Sequence, residues 1–504
     1  MSPTACFVVL ALAACKERAI GRAPSTSDAR HDVSFPLRDL PPATPLASEE
    51  EEQEERDAIR TPLLRSPLLA VDPVRQDFHL AGQALQLATS FEGIGWNFPI
   101  PGSTKVWNAT WQPADPNGDV GPRHFVQVTN GGFVVFDKSG AVVYGPAYLR
   151  TLYRGFGGKC ETDAESDPTV RYDALADRWL ISHQTNGMPP NVQCVSVSTS
   201  GDPTGQYARY EFDYADGSPD FTKFAVWPDA YYLIHDITLP AEWLCALDRS
   251  AMLRGASAAQ QCFPGPSGTP VALAADLEGT SVPPAGAAAI ILAANLSDSS
   301  STLTVYRVHI DWGDRSKSAM DGPVAVPISP VTNTFAGIPP PGTPQILSPM
   351  EGHLQNRLVY RNFGDHESIV GSLPARSGDI LGIRWFEVRM PSGEPALYQE
   401  GTYVPDSDHR FVGSVAMDVS GGIALAYSIS SDATYAGARF TGRATVDPLG
   451  VMTQPEGTLV SGQASQEHTL RWGDYGNLAV DPVDGCTFWY SAVYMRPDSN
   501  ASKL

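Results

Sequence analysis

The sequence predicts an all-β protein: a β-propeller of six to eight blades, seven preferred, behind a disordered amino-terminal tether. Three observations predict it. From about residue 86 onward, runs of four to eight residues rich in Val, Ile, Tyr, Phe and Trp alternate with clusters of Gly, Asp, Asn and Pro. Helical periodicity with caps is scarce, so strands do not alternate with helices. One short plan also recurs: apolar residues, an Asp, a polar turn, then an apolar or aromatic strand. It reads VVFDKSGAVVY at Asp137, VRYDALADRWLIS at Asp173, VAMDVSGGIALAYS at Asp418 and LAVDPVDGCTFWYS at Asp481. An Asp opening such a turn accepts hydrogen bonds from backbone N–H groups two or three residues on, so each unit is a hairpin with a capped turn. Radial repetition of small antiparallel sheets is the propeller plan, at roughly 40 to 60 residues per blade.

The elements follow in chain order. Residues 1–15, MSPTACFVVLALAAC, hold an apolar run of signal-peptide length, too short to span a bilayer. The run ends in Leu12-Ala13-Ala14-Cys15, which resembles a bacterial lipobox; the resemblance implies that Cys15 is lipidated and becomes the mature amino terminus. Residues 16–85 read as an acidic, Pro-rich tether. Its run SEEEEQEERD (Ser48 to Asp57) cannot bury enough apolar area to offset its ordering entropy, although a short helix at Glu49 to Ile59 is allowed. The propeller is expected over 86–504. HFVQVTNGGFVVFDKSGAVVYG (His124 to Gly145) reads as three strands joined by turns at Asn130-Gly131 and Lys138 to Gly140. A short helix is expected at Ala241 to Leu253.

Composition excludes some partners. The formal net charge is −21 and only 35 residues are Lys or Arg, so neither nucleic acid nor an anionic membrane surface is an expected partner. The membrane is expected to be reached through the lipid anchor alone. An exported chain meets an oxidising compartment, and short loops suggest the pairs Cys160–Cys194 and Cys245–Cys262, leaving Cys486 over. The location expected is the bacterial outer membrane or cell surface, or the medium.

Four polar constellations are candidate sites. Asp115, Asn117 and Asp119 alternate like the first half of a calcium loop, but Val120 and Val126 stand where an EF-hand needs Gly and Glu. A looser calcium site or an Asx turn remains, and calcium is the one cofactor these residues suggest. Glu161, Asp163, Glu165 and Asp167 read as an exposed acidic loop. RNFGDHESIV (Arg361 to Val370) puts Asp365 and Glu367 on one strand face and His366 on the other, so the two carboxylates are candidates for acid and base; pairing with Arg361 or Arg384 accounts for the same residues. Arg471, Asp474 and Tyr475, with Arg410, Arg439 and Arg443, place arginines near several strand starts, where they could grip a carboxylate or sulfate in a central funnel or bridge adjacent blades. Ser200, Asp202, Gly205 and Tyr207 loosely resemble the structural Asp-box turn of sialidase-like propellers. No GxSxG, P-loop, GxGxxG or HExxH motif occurs.

RNFGDHESIV, IRWFEVR, VGSVAMDVSGGIALAYS and RWGDYGNLAVDPVDGCTFWYS, with DPNGDVGPRHFVQVTN and DPTVRYDALADRWLIS, resemble a widespread group of secreted bacterial proteins without an established activity. The resemblance covers roughly residues 90 to 495 and implies export and a propeller. Members of that group run on past the Phe-Trp-Tyr strand to a further strand ending in Cys. The leading expectation is a binding or scaffold module for a glycan or surface macromolecule. The alternatives are a sialidase-like glycoside hydrolase using Asp365, Glu367 or Asp474 with an arginine set, and a calcium-stabilised structural protein. Arg361, His366, Arg384, Arg410, Arg443, Arg471 and Tyr475 are the expected ligand-binding set.

Overall fold

The computed structural model describes residues 24–41, 71–80, 82, 85–108, 113–187, 191–214, 218–235, 243–266, 272–332, 337–350, 352–467 and 469–497. Cys15 and the expected helix at Glu49 to Ile59 lie outside them. The described chain is all-β with a few short helices.

Six consecutive stretches each form a four-stranded antiparallel meander. Sheet I comprises Asn117–Val120, His124–Thr129, Gly132–Asp137 and Val142–Ala147. Sheet II comprises Glu165–Asp173, Arg178–Thr185, Val192–Ser198 and Tyr207–Asp213. Sheet III comprises Lys223–Val226, Tyr231–Ile234, Leu244–Leu247 and Ala259–Phe263. Sheet IV comprises Ala272–Leu277, Ala289–Asn295, Ser301–His309 and Ala319–Ile328. Sheet V comprises Gln355–Asn362, Glu367–Ser377, Ile380–Arg389 and Ala396–Tyr403. Sheet VI comprises His409–Met417, Ile423–Ser430, Gly437–Arg443 and Gln454–Val460. Sheet VII has two strands, Leu478–Val480 and Phe488–Tyr490. The first strand of each sheet packs against the first strand of the next, and that of sheet VII packs against that of sheet I. Sheets IV and V are joined by a parallel pairing of Ala275–Leu277 with Leu358–Tyr360.

The core lies between neighbouring sheets. Val126, Val128, Phe133 and Val135 of sheet I meet Trp179, Ile181, Val192 and Cys194 of sheet II. The recurring Asp turns form as their spacing predicts. Asp418 accepts from the N–H groups of Ser420 and Gly422, and Asp173 from those of Leu175 and Ala176. The Asp202 turn is likewise structural: its carboxylate accepts from Thr204 N. The disulfides Cys160–Cys194 and Cys245–Cys262 form, and Cys486 is free and exposed.

Two expectations are corrected. Parts of the tether are built into the sheets. Ser25–Asp28 adds an antiparallel strand to the outer edge of sheet III, Arg30–Val33 does so on sheet II, and Arg75–Gln76 pairs in parallel with Thr402–Tyr403 of sheet V. An added edge strand is held by backbone hydrogen bonds rather than by an apolar face, so hydrophobicity does not reveal it. Side chains fix it further: Asp72 is buried against Arg384 and Thr402, and Leu37 is buried in the core of sheets I and II. The expected helix at Ala241 to Leu253 reduces to Arg249–Leu253, capped by Asp248, because Leu244–Leu247 are taken as the third strand of sheet III.

Candidate functional site

The starts of the first strands of sheets I, II, III, V and VII converge, and hydrogen bonds stitch them together. Asn117 donates to the carbonyl of Tyr475 and accepts from Val170 N; Asn356 donates to the same Tyr475 carbonyl. Asp115 accepts from Asp474 N at 3.1 Å and from Asn130 at 3.1 Å. Asp167 accepts from the Tyr475 hydroxyl at 2.5 Å and from Phe221 N at 3.0 Å. We call this side of the molecule the start face.

The backbone is strained here. Asp115 (φ 45°), Asp167 (φ 52°), Phe221 (φ 52°), Met350 (φ 56°) and Val412 (φ 46°) are left-handed within the five residues before, or the first four residues of, five first strands. For Phe and for β-branched Val this conformation is a marked outlier, and such outliers cluster where a structure holds functional groups in place.

Lys223 lies at the middle of this cluster and is 2 % exposed. Its amine stands 3.0 Å from the ring centre of Phe221 and 3.6 Å from that of Tyr475. Its hydrogen-bond acceptor among the described residues is the Phe221 carbonyl, at 3.5 Å. Burial pushes the amine down to about 7, against the pull of Asp474, Asp167, Asp115 and Asp220. Burial and the Asp220 charge push Asp167 up to about 6, with the Tyr475 hydrogen bond opposing. Asp474 Oδ2 is paired with Arg471, while its Oδ1 is buried with no hydrogen-bond partner among the described residues. Buried polar atoms are nearly always partnered, so such an orphan calls for an occupant. Asp220 is exposed, and Phe221, His353 and Arg471 are half-buried, forming a rim. A cavity of about 330 Å³ is lined by Asn295, Ser297, Ser300, Thr302 and Gly352, and none of the rim residues lines it.

Beneath the cluster lies a second layer of buried charge. Asp276 pairs with Arg171 (3.2 Å) and Arg357 (2.8 Å), and Arg357 pairs with Glu278 (2.7 Å). Asp119, pushed up to about 6 by burial, accepts from Tyr172 N.

The residues singled out from sequence divide clearly. Asp474, Arg471, Tyr475, Asp115 and Asn117 meet at the centre. Asp365 and Glu367 do not. They occupy the turn closing the far end of the first strand of sheet V, whereas Asp474 precedes a first strand. The Asp365 side chain is 83 % exposed and bonded to His366, whose ring stacks on Phe363; Glu367 accepts from the Tyr360 hydroxyl at 2.5 Å. Four of the arginines are engaged inside the fold. Arg384 pairs with Asp72 and Glu400, Arg410 with Asp406 and Glu456, Arg361 donates to the Met417 carbonyl, and Arg443 to those of Val451, Asp447 and Pro448. The acidic stretch Glu161 to Asp167 is not an exposed loop: Glu165 and Asp167 are buried, Glu165 against Arg150 and Leu149 N. Among the described residues no group of three or more His, Cys, Asp or Glu is arranged to hold a metal ion; the side chains of Asp115, Asn117 and Asp119 instead bridge neighbouring first strands.

Sequence reading missed Lys223, Asp220, Phe221 and His353. The signal available was positional: each precedes or opens a first strand, as Asp115, Asp167 and Asp474 do.

No family model matches the chain, and no curated protein matches it. Solved structures resemble it distantly. An endo-arabinase from Bacteroides thetaiotaomicron is 12% identical with a TM-score of 0.29, over 56% of this chain and 95% of that one. An exo-β-1,3-galactanase from Clostridium thermocellum is 12% identical with a TM-score of 0.31, over 72% and 79%. A polysaccharide lyase, an ulvan lyase, is 12% identical with a TM-score of 0.35, over 73% and 85%. These values are too low to transfer any activity, and the functional reading rests on the geometry above.

Proposed function

We propose that this chain is an exported, lipid-anchored, seven-bladed β-propeller that binds a glycan on its start face. The ring of contacts between first strands, returning from sheet VII to sheet I, supports the blade count. Two disulfides support an oxidising compartment, and Leu12 to Cys15 support the anchor.

One observation carries the ligand class: a buried, sparsely bonded donor, Lys223 Nζ, and a buried orphan acceptor, Asp474 Oδ1, in one cluster beside aromatic rings. A sugar hydroxyl both donates and accepts, so a sugar can satisfy both atoms while its C–H face packs on Phe221 and His353. The half-buried rim of Phe221, His353 and Arg471 offers further polar and aromatic contacts to such a ligand. A glycan array probed with the purified protein tests the reading. Array binding by the native chain, weakened at least about tenfold in Lys223→Met and Asp474→Asn, is the expected result; each variant removes one hydrogen bond, to a charged group, from a desolvated site. Absence of array binding, or unchanged binding in both variants, overturns it.

A second reading, glycoside hydrolysis, is favoured by the raised Asp167 and lowered Lys223, which hold and release protons near neutrality. It uses these residues rather than Asp365 and Glu367. Turnover of chromogenic glycosides that disappears in Asp167→Asn would select it over simple binding.

A further inference from the structure

The charge balance of the Lys223 cluster narrows the ligand class. Its carboxylates come from four sheets: Asp115 from before sheet I, Asp167 from the first strand of sheet II, Asp220 from before sheet III and Asp474 from before sheet VII. All four act on the Lys223 amine. Against them stand, among the described residues, Lys223 itself and Arg471, and Arg471 is already paired with Asp474 Oδ2. The cluster therefore carries an excess of negative charge in a desolvated place, where charge is least screened. Protonation of Asp167, pushed up to about 6, reduces the excess without cancelling it.

An anionic sugar fits this balance poorly. A uronate or a sulfated sugar needs cations to spare, and Arg361, Arg384, Arg410 and Arg443 are engaged inside the fold. A neutral sugar leaves a different deficit. Asp474 is 7 % exposed, and its Oδ1 has no hydrogen-bond partner among the described residues. A hydroxyl donating to that oxygen leaves the excess charge in place, whereas an ammonium donates the same bond and cancels it. The surroundings already hold one nitrogen cation: Lys223 Nζ stands against the faces of Phe221 and Tyr475.

We propose that the start face selects a glycan bearing a free amine, a de-N-acetylated amino sugar, whose ammonium donates to Asp474 Oδ1 while a ring hydroxyl meets Lys223. This rests on the glycan reading of the site and assigns the chemical class within it. A 2-amino sugar carries its amine and a hydroxyl on adjacent ring carbons, so one unit serves both protein atoms. N-acetylation turns the ammonium into a larger, neutral amide and removes the match. The net charge of −21 also draws a polycation toward the molecule. That pull is unspecific and is screened beyond about 10 Å at about 0.1 M salt, so discrimination falls to the buried carboxylate.

Calorimetric titration of the purified full chain tests the assignment. The probes are tetrasaccharides of β-1,4-linked glucosamine, of its fully N-acetylated counterpart and of galacturonate, in a mildly acidic buffer that keeps the sugar amine charged. A lysine tetrapeptide reports unspecific charge attraction. The glucosamine tetramer should bind at least about tenfold more tightly than the N-acetylated one, as expected for one hydrogen bond between charged groups in a desolvated site. Galacturonate should bind more weakly than either. Asp474→Asn should remove the preference. Where circular dichroism shows that variant unfolded, Asp220→Asn at the exposed rim replaces it, and should reduce the preference more at low salt than at high salt. Equal or tighter binding of the N-acetylated or galacturonate tetramer overturns the amine assignment and leaves the glycan reading standing. A lysine tetrapeptide that binds as tightly as the glucosamine tetramer overturns it as well. Capture of neutral glycans on the array, with no heat from the glucosamine tetramer, overturns this assignment alone; absence of binding in both measurements overturns the glycan reading with it.

Discussion

Asp167 shows how one residue couples the site to solution conditions. Its carboxyl is buried, receives the Tyr475 hydroxyl, and is pushed up to about 6 from 3.8. A group raised in the folded state contributes stability that is complete below its unfolded value and lost as pH rises through its folded value. Folding stability should therefore fall between about pH 4 and 6, and Asp167→Asn should flatten that slope; urea unfolding followed across the window checks this. Arg384 shows the opposite economy. Its side chain is 0 % exposed and grips Asp72 with both carboxylate oxygens at 2.8 Å. Asp72→Ala would leave that guanidinium short of a partner in the interior and should cost about 3–5 kcal/mol, read as a lower urea midpoint.

At the scale of elements, the hairpins were legible in the sequence and the edge strands were not. The Asp-capped turns at Asp173, Asp418 and Asp481 announce themselves, because a turn is a local event whose residue types are dictated by backbone geometry. Ser25–Asp28 and Arg30–Val33 carry no apolar alternation. Their place is set by edges more than 170 residues away, at Tyr207–Asp213 and Ala259–Phe263. The site was half legible for the same reason. Asp474 and Tyr475 stand in a conspicuous motif, whereas Lys223 sits in an ordinary strand start and becomes special only when Phe221, Tyr475 and Asp167 arrive from elsewhere. The arginines misled because several near strand starts suggest a common ligand, while the fold gives Arg384, Arg410 and Arg443 internal partners of their own. Two predictions belong here. Removing residues 1–33 should bare the edges of sheets II and III, lower the melting temperature and promote association, seen by light scattering. Replacing Cys160 and Cys194 by Ser should cost about 2–5 kcal/mol in denaturant unfolding.

For the whole molecule, the two-stranded sheet VII is the joint on which the ring reading depends. Trp489 stacks on Phe125 of sheet I with ring centres 5.4 Å apart and also meets Phe91. Trp489→Ala should remove about 2–4 kcal/mol, somewhat below a full core truncation because the ring is half-buried. If the sheets form one closed ring, tryptophan fluorescence and far-UV circular dichroism should report that loss at a common midpoint.

The buried layer of Arg171, Arg357, Asp276 and Glu278 beneath the Lys223 cluster has a kinetic meaning. Opening it would separate charges in a desolvated interior, so in the proposed closed ring a glycan bound at the start face would leave by the mouth it entered. A long chain would then be held there only by an end or a bend, and its departure would retrace its arrival.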